Sequence, residues 1–128
     1  MRFAILVTAP AYGSQGSASA YLFTQAAIAM GHEIQGIFFY QQGVSNGNQF
    51  TTPANDEDDL VALWAALAVE HGFSLDVCIS AALRRGVVDQ VSAQDHQLAA
   101  ANLSEPFAMT GLGQLAELSS RADRLVQF

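Results

Sequence analysis

Short apolar runs alternating with helical patterns constrain this chain more than any other feature. Phe3-Ala-Ile-Leu-Val7 is continuously apolar, and a strand of that kind has no face to turn to water. Ile34–Tyr40 ends in Phe38, Phe39 and Tyr40, residues that favour extended backbone. Phe73–Ile79 reads as a third strand and Arg124–Phe128 as the last. Helical segments lie between them. One begins near Ser17 and stops at Gly31, a residue suited to end a helix. The clearest is marked by Leu60, Leu63, Trp64, Leu67 and Ala68, whose spacing puts all five on one face. Asp56, Glu57, Asp58 and Asp59 lie at its start, where negative charge offsets the helix dipole; this reads as a solvated helix start rather than a metal site. Ser80–Arg85, closed by Gly86, is a short helix. Ser92–Ala101 and Gly111–Ser120 follow, the latter with Leu112, Leu115 and Ala116 expected inward. Gln41–Pro53, holding Gly43, Asn46, Gly47 and Asn48, reads as a long polar loop. Strands too apolar to face water need helices over both faces. The pattern predicts one α/β domain with a parallel sheet between helical layers.

At 128 residues the chain has room for a single domain spanning 1–128. Only 13% of it is charged, about half the usual share, so part of the surface is expected to be covered by partner subunits. Twelve acids against five arginines and no lysine give a net charge of −7, which argues against direct nucleic-acid binding. No apolar run approaches the roughly 20 residues that span a bilayer, and Met1–Val7 is too short for a signal peptide. The expectation is a cytoplasmic protein that does not enter a membrane. One cysteine excludes an internal disulfide, and His32, His71 and His96 match no metal-ligand spacing. Neither a metal nor an organic cofactor is expected.

Ligands of open parallel sheets bind beyond the carboxyl ends of the strands. Cys78 stands at such an end, with a helix starting directly after it. Backbone N–H groups and the positive helix end would stabilise a thiolate there. Arg84 and Arg85 follow on the same helix and add positive potential if the fold returns either one to the sulfur; they equally suit a helix C-terminus. A buried, inert cysteine would satisfy the position too, and position alone leaves both readings open. No histidine is near in sequence to serve as the base that acyl transfer requires. Cys78 and Arg84 also have the C-x5-R spacing of cysteine phosphatases, but Ile-Ser-Ala-Ala-Leu between them lacks glycine and favours helix. The loop Ala9–Ala18 matches neither G-x-G-x-x-G nor the Walker pattern, so its Gly13 and Gly16 read as aids to close packing rather than as a phosphate or flavin site.

Several blocks together resemble a known family. They are Met1-Arg-Phe-Ala-Ile-Leu-Val-Thr-Ala-Pro-Ala-Tyr-Gly13, Gly31-His-Glu33, Ile37-Phe-Phe-Tyr40 and Thr51-Thr-Pro53. The strongest is Val77-Cys-Ile-Ser-Ala-Ala-Leu-Arg-Arg-Gly-Val-Val-Asp89, followed by Thr110-Gly-Leu-Gly-Gln-Leu115 and Ala122-Asp-Arg-Leu-Val-Gln-Phe128. These are similar to the DsrEFH-like family, and within it to the DsrE-like, TusD-type subunits of TusBCD sulfur-relay complexes. The resemblance implies a three-layer α/β/α fold with a five-stranded parallel sheet, the additional strand lying around Phe107. It implies a sulfurtransferase that holds sulfur as a persulfide on Cys78, works with no cofactor, and assembles with TusB-like and TusC-like siblings as a dimer of heterotrimers. A TusA-like donor would supply the sulfur and a TusE-like acceptor would receive it for 2-thiolation of tRNA wobble uridine. DsrE relatives serve dissimilatory sulfur oxidation instead. A homo-oligomer is expected where the siblings are missing. Persulfide exchange calls for an accessible thiolate as nucleophile and leaving group. Arg84 and Arg85 are candidates to stabilise it, and Tyr12 and Ser14 are candidates to line its pocket.

Overall fold

The computed structural model describes every residue from Met1 to Phe128. The apolar runs become strands β1 (Arg2–Val7), β2 (Glu33–Phe39), β3 (Ser74–Cys78), β4 (Phe107–Thr110) and β5 (Arg124–Gln127). They pair in the order β4-β3-β2-β1-β5, every pairing parallel. The helices are α1 (Gly16–Ala29), α2 (Leu60–His71), α3 (Ile79–Arg84), α4 (Gln90–Asp95) and α5 (Leu112–Arg121). The additional strand that the family resemblance implies is β4. Only Phe107 of its four residues is deeply buried, too little apolar sequence to announce a strand.

Strand alternation divides the sheet into two faces. Phe3, Ile37 and Phe39 look toward α1 and α2: Phe3 meets Phe23 edge-on at 5.4 Å, and Phe39 meets Trp64 at 5.6 Å. Gly36 looks the other way, where a Cβ would press on the Leu118 side chain of α5 at 2.8 Å. Helix α5 packs against β1 and β2 on that face. It lies there because the chain crosses the whole sheet from β4 to β5, and a right-handed crossover in that direction lands opposite to those of α1 and α2.

Three expectations need correction. Gln41–Gly47 is not an exposed loop but a 3₁₀ segment with Gly43, Val44, Asn46 and Gly47 buried. Asn46 makes this possible: its amide donates to the carbonyls of Gly43 at 2.9 Å and Ala9 at 3.3 Å, and accepts from the Ser17 hydroxyl at 2.6 Å. The helix expected over 92–101 runs from Gln90 to Asp95, because Asp89 caps it by accepting from the Ser92 N–H at 2.9 Å. In α5 the buried residue is Leu118, while Leu112 is 51% exposed and Ala116 is exposed. Leu112 sits in the first turn, past the carboxyl end of β4, where no strand lies beneath it.

Candidate active site

The carboxyl end of β3 carries the chain's one thiol. Cys78 is the last residue of β3 and the N-cap of α3. Its register places it beside Thr110, the last residue of β4. The two-residue period of the strand puts Ser74, Asp76 and Cys78 on the α5 face, since Gly36 pairs with Ser74 and faces Leu118. Asp76 is only 4% exposed. Its Oδ2 accepts from the Ser74 hydroxyl at 2.7 Å and from Gln114 Nε2 at 3.4 Å. Gln114 belongs to the first turn of α5, so this bond ties the start of that helix over the end of β3. The Thr110 hydroxyl is buried and has no hydrogen-bond partner.

The thiol itself is covered, Cys78 being 3% exposed. The accessible thiol that persulfide exchange calls for is therefore not open in the isolated chain. Next to it, the Gln41–Gly47 segment packs on both α3 and β3 instead of standing away in water.

The remaining candidates lie apart from the sulfur. Arg84 is exposed at the far end of α3, about 9 Å along a helix of six residues. Arg85 Nη1 donates to the Ala81 carbonyl at 3.1 Å, satisfying the C-terminal turn of the helix. Tyr12 and Ser14 line a cleft of about 440 Å³ beyond β1, together with Gln15, Glu57 and Asp58. Tyr12 donates its hydroxyl to the Asp58 carbonyl at 2.6 Å and accepts from the Leu60 N–H at 3.3 Å. Cys78 does not line that cleft. The phosphatase alternative meets a direct obstacle. Ile79–Arg84 is helical, which carries the exposed Arg84 to the far end of α3, so thiol and guanidinium do not converge on one phosphoryl group. No three His, Cys, Asp or Glu side chains converge to hold an ion.

Asp76, Thr110 and Gln114 join the site without being among the sequence candidates. Asp76 carried a readable signal: a carboxylate inside an otherwise apolar strand, two residues before the cysteine. Thr110 and Gln114 lie in the Thr110–Leu115 block of the family resemblance, but nothing in the sequence ties them to the cysteine; the β3–β4 register sets Thr110 beside Cys78 and the path of α5 brings Gln114 to Asp76.

The DsrE/DsrF-like family model matches residues 1–128. A curated relative, sulfurtransferase TusD of Photorhabdus laumondii, is 54% identical over 128 residues, covering 100% of this chain and 98% of its own. The crystal structure of the ychN protein from E. coli superposes with a TM-score of 0.78 at 15% identity, covering 99% of this chain and 98% of the other, and so shares the fold. By full-length sequence match and by architecture, the chain belongs to the DsrE/DsrF-like family.

Proposed function

We propose that Cys78 carries sulfur as a persulfide. The chain is a sulfurtransferase, as its full-length identity to one shows. Relay of sulfane sulfur through a protein side chain requires a thiol, and Cys78 is the only thiol present. That observation carries the proposal. In the loading step the Cys78 thiolate attacks the outer sulfur of a donor persulfide. A bond forms between Sγ and the arriving sulfur, the donor S–S bond breaks, and the donor leaves as a thiolate. In the unloading step an acceptor thiolate attacks the outer sulfur on Cys78, takes it, and releases the Cys78 thiolate. Electrons balance in both steps, so no oxidant, metal or organic cofactor takes part.

The donor is a TusA-like protein and the acceptor a TusE-like one, within an assembly containing TusB-like and TusC-like siblings that ends in 2-thiolation of tRNA wobble uridine. Three features support this reading. The Photorhabdus relative, matched over nearly its full length, is named a sulfurtransferase. The net charge of −7 suits a subunit that hands sulfur to proteins and leaves tRNA to others. Leu112 and Leu125, 51% and 43% exposed on the thinly covered α5 side, suit contact with siblings. The test is transfer of radiolabelled sulfur from donor to acceptor in the reconstituted assembly. Label should reach the acceptor with the wild-type chain and fall to background with Cys78→Ser. Undiminished transfer through Cys78→Ser would refute the proposal.

A further inference from the structure

We infer that Thr110 is a positioning residue for the transferred sulfur: its hydroxyl donates a hydrogen bond to the outer sulfur of the Cys78 persulfide. The inference rests on Cys78 being the carrier. Its own basis is the state of the Thr110 hydroxyl, which is buried and bonds to nothing when Cys78 is a free thiol. A buried hydroxyl without a partner is destabilising, and native proteins rarely retain one without a use. Thr110 is the cross-strand partner of Cys78 on β4, and parallel strands run about 4.8 Å apart. The free thiol makes no bond across that gap. A persulfide extends the side chain by one S–S bond, about 2 Å, which brings its end within reach of the neighbouring strand. The outer sulfur bears negative charge when deprotonated, and hydrogen bonds to charged acceptors are the stronger kind. The hydroxyl therefore favours the loaded state over the empty one.

Thr110→Val and Thr110→Ser separate this role from simple packing. Valine keeps the shape of threonine and removes the hydroxyl; serine keeps the hydroxyl. Each full-length chain is loaded from a donor persulfide, and loss of the extra sulfur to dithiothreitol is followed by intact mass, with Tm recorded on the unloaded proteins. Thr110→Val should be at least as stable as wild type when unloaded, because it removes an unpartnered buried polar group. Once loaded, it should lose sulfur roughly tenfold faster, and Thr110→Ser should hold sulfur as wild type does. Equal loss from Thr110→Val and wild type overturns the inference while leaving Cys78 as carrier. Fast loss from both variants, or a Thr110→Val chain that unfolds, assigns Thr110 to packing and overturns it too. A wild-type chain that takes no sulfur on Cys78 even with the sibling subunits present refutes the carrier reading, and this inference with it.

Discussion

Gly43 lets the Gln41–Gly47 segment lie against the end of β1. A Cβ at this position would collide with the Val7 carbonyl oxygen and stand 3.2 Å from Thr8 Cα, both backbone atoms that cannot swing aside. Gly43→Ala should therefore push the Gln41–Gly47 segment off the sheet edge. A loss of about 1–3 kcal/mol is expected from the urea midpoint, together with faster iodoacetamide labelling of Cys78 in the native state. Unchanged stability and labelling would show that this segment does not form the cover. Cys78 was legible in the sequence because the chain has no other cysteine and because an apolar strand passes directly into a helix there. Its burial was not legible. Polar residues such as Asn46 signal exposure by composition, yet Asn46 is fully buried through bonds to Ser17, Ala9 and Gly43 that only the folded chain supplies. Thr110 and Gln114 were hidden for the same reason, since sequence separation hides what register and helix path bring together.

Strands and helices with long apolar periods were readable, and short ones were not. Trp64, Leu67 and Ala68 announce α2, and all three are buried as their spacing requires. β4 and α4, with four and six residues, are set by neighbours and a cap. In α5 the expected Leu115 packs on the core, but the deeply buried residue is Leu118, which docks against the bare backbone of Gly36, a fit visible only across the sheet. β5 is an edge strand held to β1 by more than its ladder. Asp123, just before it, accepts from the Arg2 N–H at 2.7 Å and pairs with the Arg2 guanidinium at 3.0 Å. These bonds, the side-chain one first, lower the Asp123 pKa from 3.8 to about 2. A carboxylate acidified by folding stabilises the fold above its unfolded pKa and loses that contribution as pH falls through the folded value. Wild type should therefore lose this contribution between about pH 4 and 2. Asp123→Asn should show a shallower decline of Tm across that window. The pair is exposed, so the difference should be small and should shrink in high salt. A parallel decline in both proteins would contradict the assignment.

The molecule as a whole is a rigid sheet with its chemistry at one edge and unequal cover on its two sides. α1 and α2 shield one face, whereas α5 shields the other with Leu118 alone deeply buried. Low charge, exposed leucines on the α5 side and a covered thiol are the features on which the proposed assembly rests. A parallel α/β fold was legible from the alternation of apolar runs with helical patterns. The covering of Cys78 was not, because burial at the end of a strand is set by what the fold packs around it. Everything functional rests on sulfur residing at Cys78. Exposure of the full-length chain to a donor persulfide, followed by intact and peptide-level mass spectrometry, tests this directly. The expected result is the mass of one added sulfur atom, located on the Cys78 peptide, removed by thiol and missing in Cys78→Ser. No adduct from a donor that loads other carriers, with the sibling subunits present to open the site, would contradict it.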